Sequence, residues 1–190
     1  MLGLNSMVWL ALLVWVGVPL FALVMGVLLW RRSRTPLGKS FVVVASIAVL
    51  FAPLLVSNGV KYYYDAQVRE MCAKDGGVRV YETVRLSADK FDELKRRNFV
   101  FFSKELADPA DEYYGETDDH YFRQGSPSLV RIHYRIVWRN DRKVLGESIR
   151  YARAGGDLPG PWHGSGFMCP DPVKYPSKFE TAIFVRGDGQ

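Results

Sequence analysis

The first 60 of the 190 residues contain no Asp and no Glu, and their only basic side chains are Arg31, Arg32, Arg34 and Lys39. Residues 7–30 and 41–60 carry no charge of either sign, in runs of 24 and 20 positions. Those absences exclude a soluble reading of this segment, and residues 61–190 are enough for one small domain, not for a multidomain enzyme with a large core. The overall 48% hydrophobic and 24% charged residues therefore average two unlike parts. Cysteine and histidine are scarce. Cys72 and Cys169 are the only two cysteines, neither sits in a C-x-x-C pair, and none of the three histidines stands at ligand spacing from one, which argues against a zinc site. A Gly-x-Ser-x-Gly elbow, an EF-hand spacing, internal repeats and low-complexity segments are likewise missing.

What is present begins with the two apolar runs. At ~1.5 Å per residue the first makes a helix of ~36 Å, ample for a hydrocarbon core of ~30 Å. It ends in Trp30-Arg31-Arg32 instead of a small-residue cleavage site and has no basic segment before it, so it reads as a transmembrane helix and not as a signal peptide. Trp9 and Trp30 are spaced to reach both interfaces, and Tyr62, Tyr63 and Tyr64 serve the far end of the second helix. Pro19 and Pro53 are expected to bend their helices, while Ala22 with Gly26 and Ala48 with Ala52 offer small-residue faces for packing as a hairpin. The connecting loop, residues 31–40, holds four basic residues and no acid, which predicts a cytoplasmic loop. Both termini, and with them residues 61–190, then lie on the other side: the periplasm, for a protein of a bacterial inner membrane.

Both cysteines fall in the expected exported part. An even count there is what one Cys72–Cys169 disulfide in an oxidising compartment requires. That part carries 21 basic and 20 acidic residues, so it has no nucleic-acid footprint. The expected partners are the lipid bilayer and an envelope protein, with no nucleic acid and no cofactor.

Residues 61–190 pattern as an α+β domain, a small, mostly antiparallel sheet with one or two short helices. Residues 62–74 lack Gly and Pro and extend the second membrane helix until Asp75-Gly76-Gly77 stops it. Residues 78–84 alternate as a strand, Ser87 is the N-cap of a short helix running through Arg97 with Phe91 and Leu94 as its apolar stripe, and residues 99–102 read as a buried strand. Residues 129–139 place Val130, Ile132, Tyr134, Ile136 and Trp138 on one face. Asn140-Asp141-Arg142-Lys143 turns the chain, and residues 144–153 return in phase as a hairpin. A final strand is expected over residues 179–185.

Candidate sites are few. Residues 108–120 hold six acids and end in His120, so a calcium-like ion is a secondary possibility with Asp118, Asp119 and His120 as its ligands; a solvated loop is the favoured reading. The Pro/Gly-rich stretch 155–172 is longer than an incidental loop, and its Trp162, His163 and Phe167 are the binding candidates. His163 beside Ser165 admits a hydrolase reading, for which no orienting acid is assignable. His133 is expected to be exposed, and Arg131, Arg135, Arg139 and Arg150 to form a basic stripe that Glu147 and Asp141 help to neutralise.

Two stretches, Cys72-Ala-Lys-Asp-Gly-Gly-Val-Arg-Val-Tyr-Glu-Thr-Val84 and Gly155-Gly-Asp-Leu-Pro-Gly-Pro-Trp162 continuing to Cys169-Pro170, resemble a widespread group of small bacterial membrane proteins with an exported C-terminal domain. The resemblance implies that both cysteines belong to a shared pattern. It implies no activity and no catalytic residue. The reading that results is a non-enzymatic, membrane-anchored periplasmic interaction module, with a small anchored hydrolase or metal-dependent enzyme, or an accessory subunit of a transport or secretion assembly, as alternatives.

Overall fold

The computed structural model describes residues 4–160, 164–171 and 179–187, with side chains from Val8 onward. The chain forms two compact units, Met1–Tyr64 with Gly155–Ser165, and Asp65–Ala154 with Gly166–Gln190.

The first unit is built on α1 (Leu4–Leu12), a π-helical turn (Leu13–Gly17), α2 (Val18–Arg32) and the start of α3 (Pro36–Asp75). The π turn immediately precedes Pro19, whose ring displaces the N–H that would have bonded to the Trp15 carbonyl, so the helix widens there instead of breaking. Between α2 and α3 only Ser33, Arg34 and Thr35 are non-helical, a tighter turn than the ten-residue loop expected from charge alone. Local chemistry sets it: Thr35 Oγ1 accepts the Gly38 N–H at 3.1 Å, and Pro36 supplies a first helical residue that has no N–H to satisfy. Ala22 is buried, and a Cβ on Gly26 would stand 2.7 Å from Ser46 Oγ, so this face of α2 does pack on α3. Ala48 and Ala52 are exposed; the inward face of α3 carries Ala45, Ser46, Pro53 and Ser57 instead. The spans Val8–Arg32 and Pro36–Asp75 are long and apolar enough to cross a membrane, and almost none of their apolar surface is buried.

The second unit is α+β. β3 (Tyr113–Arg123), β4 (Ser128–Trp138) and β5 (Val144–Ala154) form an antiparallel meander, and the outer edge of β5 is shared end to end by β1 (Gly77–Val80) and β6 (Gly166–Cys169). The expected hairpin is present, with Val137 opposite Val144. One sheet face carries the apolar core: Leu86, Ile136, Leu145, Phe179, Ile183 and Phe184, joined by Phe91 and Leu94 of α4 (Ala88–Arg96). Phe184 stacks on Phe101 at 5.2 Å and meets Tyr113 edge-on at 4.9 Å, contacts that fix this aromatic centre.

Four expectations are corrected. The strand begun at β1 ends at Val80, because the Tyr81 and Glu82 N–H groups both donate to the Leu145 carbonyl and turn the chain toward β2 (Val84–Leu86). Residues 99–102 are not a strand. Asn98 and Phe99 adopt φ of 53° and 52°, and N–H donation from Phe99 to Leu94 and from Asn98 to Lys95 closes a Schellman turn after α4. Residues 179–185 form α5 (Phe179–Ile183) before β7 (Phe184–Arg186), which pairs in parallel with β2. The acidic stretch expected to be a solvated loop is, from Tyr113 on, the eleven-residue strand β3.

Candidate functional site

The opposite face of the main sheet is polar, and the sequence dictates its order row by row. Arg79 of β1 stands opposite Glu147 of β5, Glu147 opposite Arg135 of β4, and Arg135 opposite Glu116 of β3, so charge alternates across four strands. Glu147 is buried and accepts from Tyr81 Oη at 2.6 Å, His133 Nε2 at 2.7 Å and Arg79 Nη1 at 2.9 Å. Donation from Tyr81, then from His133 and Arg79, outweighs the cost of burial and holds its carboxyl down at about 2. A carboxylate saturated in this way stays ionised near neutrality, and its three donors tie β1, the turn after it, β4 and β5 together.

His133, expected to be exposed, is thus half-buried and engaged. The basic stripe is broken up as well: Arg131 reaches Asp75 at 3.5 Å, Arg135 reaches Glu116 at 3.2 Å, and Arg139 donates to the carbonyls of Asp111 and Asp108. The acids that do this include Asp75 and Glu116, distant in sequence, which periodicity alone does not identify. The C-terminal end of α3 covers this face through Asp65, whose carboxylate takes Arg153 Nε at 2.5 Å, and Asp75, which accepts from Tyr151 Oη at 2.6 Å. Burial, and then that bond, push the Tyr151 hydroxyl above its ordinary range. The same helix end carries Cys72, bonded to Cys169 at the end of β6, as the cysteine count predicts.

Of the binding candidates, Phe167 lies on β6 opposite Arg153, with the Arg69 guanidinium 5.1 Å from its ring centroid. Trp162 and His163 lie outside the described residues. Ser165, their neighbour, gives its hydroxyl to Asp157 at 3.1 Å. Asp118, Asp119 and His120 follow one another along β3, so Asp118 and Asp119 point to opposite faces. Among the described residues no three His, Cys, Asp or Glu side chains converge as a metal site. An open groove of about 220 Å³ beside α4 is smaller than an ordinary small-molecule site, and its rim charges pair with each other, Lys90 with Glu112 at 2.6 Å and Arg97 with Asp111 at 3.6 Å.

The feature that sequence reading missed is the outer edge of β3. The Gly115 N–H points away from β4, donating to the Phe102 carbonyl at 2.8 Å. The strand's alternation then sends the main-chain groups of Thr117, Asp119 and Tyr121 to the same side. Residues 117–123 are all exposed, Tyr121 and Phe122 at about half of their surface. No protein family, curated protein or solved structure matches this chain.

Proposed function

We propose that this chain is a membrane-anchored interaction module of the bacterial envelope, with the helical hairpin in the inner membrane, the Ser33–Arg34–Thr35 turn in the cytoplasm and the disulfide-tied sheet domain in the periplasm. The basic residues Arg31, Arg32, Arg34 and Lys39 around that turn support the orientation, and a disulfide in the sheet domain supports the oxidising compartment. Its work is to bind another envelope protein, without turnover. The observation that carries this is the outer edge of β3 over residues 117–123, which pairs with no strand among the described residues and offers its main-chain donors and acceptors to an added strand. Asp118 and Asp119 on that edge repel a second copy of the same strand and favour a partner segment bearing Lys or Arg.

The test is a photo-crosslinking residue placed at position 121 in cells. One discrete adduct is expected, and Asp119→Pro should abolish it, because proline there removes only an outward N–H and spares the ladder to β4. An adduct that survives Asp119→Pro while the disulfide still forms would mean that the edge is not the docking surface.

A further inference from the structure

Gly155–Ser165 belongs to the helical unit, although it joins two strands of the sheet domain. Several of its polar groups find partners in the helices and within the segment itself. Trp15 Nε1 donates to the Pro159 carbonyl at 2.7 Å, Ser57 Oγ to the Gly156 carbonyl at 2.8 Å, and Lys61 Nζ to the Asp157 carboxylate at 2.9 Å. Within the segment the Gly155 N–H donates to the Ser165 carbonyl at 2.8 Å, and Asp157 accepts from the Ser165 N–H. Pro159 and Pro161 have no N–H to satisfy. Partners of this kind lower the cost of taking backbone and side-chain polar groups out of water, a cost that any segment placed in hydrocarbon must offset.

The depth of the anchors points the same way. Exposed apolar surface on the hairpin continues well past them: Leu13 is 63% exposed and Trp9 70%, on the side of Trp15 away from the α2–α3 turn. On α3 the exposed Tyr62 and Tyr63 lie beyond Ser57 in the same direction. Trp9 and Tyr63 are each six positions from the anchors Trp15 and Ser57, so at ~1.5 Å per residue the anchors sit ~9 Å inside the aromatic boundary. Lys61 lies close to that boundary, where an ion pair with Asp157 is tolerated.

We infer that Gly155–Gly160 is a re-entrant element seated in the periplasmic leaflet of the bilayer, contacting phospholipid acyl chains on one side and Trp15, Ser57 and Lys61 on the other. The inference rests on the membrane-anchored reading above and adds a second point of attachment to the lipid. Its partner is the outer part of the acyl-chain region of a phospholipid leaflet.

A nitroxide on Leu158→Cys tests it, in the full-length protein in nanodiscs of phosphatidylcholine and phosphatidylglycerol, with the native disulfide leaving the added thiol as the only free one. Power saturation compares accessibility to oxygen with accessibility to a water-soluble nickel chelate. Labels at Leu23→Cys in α2 and Asp119→Cys in β3 give the lipid and water references, and Gly160→Cys repeats the measurement at a second position in the segment. The oxygen-to-nickel ratio at 158 and 160 is expected to be several-fold above that at 119 and to approach that at 23. A ratio at both positions equal to that at 119, with 23 still favouring oxygen, overturns the inference and leaves the anchor intact. A water-like ratio at 23 removes the anchor itself.

Discussion

The double variant Cys72→Ala/Cys169→Ala measures how far the crosslink restrains the unfolded sheet domain. The two residues are 97 positions apart and enclose β1 to β5 and the segment leading to β6. For a ring of this size the chain-entropy relation gives about 4.7 kcal/mol. If Gly155–Ser165 stays on the helices while the sheet opens, the segment already closes most of that ring. The remaining loop is then on the order of 15 residues, for which the same relation gives about 3 kcal/mol. The variant should therefore lose between those values. Hydrogen exchange of the β4 and β5 amides in nanodiscs reads the loss directly, because the central strands open only with the whole domain. A loss below ~1 kcal/mol would refute the reasoning, since both ring sizes considered give about 3 kcal/mol or more.

Phe184→Ala should cost about 3–5 kcal/mol in the same exchange measurement, because it empties the centre shared with Phe101 and Tyr113. Glu147 titrates in the acid range: its folded value of about 2 lies below the ordinary 4.5. Its contribution is thus complete above that ordinary value and is lost as pH falls toward about 2, a decline that Glu147→Gln should flatten in near-ultraviolet circular dichroism. Gly26→Val should push α2 off α3, lowering the detergent concentration at which the hairpin unfolds, and adding Ser46→Ala should recover part of the loss, since Ser46 Oγ is the atom the new side chain meets.

Much of the fold was legible because local and tertiary preferences agree. The charge-free runs, the apolar alternation of Val130 to Trp138 and the Asn-Asp-Arg-Lys turn each favour one structure at every level. The β3 strand was not legible. Glu116, Asp118 and Asp119 count against a strand locally, and the pairing with β4 that stabilises it, including Arg135 against Glu116, is long-range. Residues 99–102 misled for the opposite reason: an apolar run suggests a buried strand, whereas Asn98, one of the few residues that tolerate the left-handed region, is the better guide to a helix end. The polar sheet face was half legible. Its arginines are visible in the sequence, but His133 patterns as exposed because the buried Glu147 that receives it lies on the neighbouring strand.

Thiol accessibility tests the central claim, an anchored module with its sheet domain in an oxidising compartment, most directly. Spheroplasts are treated with a membrane-impermeant maleimide, with and without prior reduction, and the intact mass of the full-length protein is read. The account predicts no label without reductant and two labels, on Cys72 and Cys169, after reduction. Unlabelled thiols in reduced spheroplasts that react after lysis without reductant would contradict it, placing the domain in the cytoplasm with its cysteines unpaired.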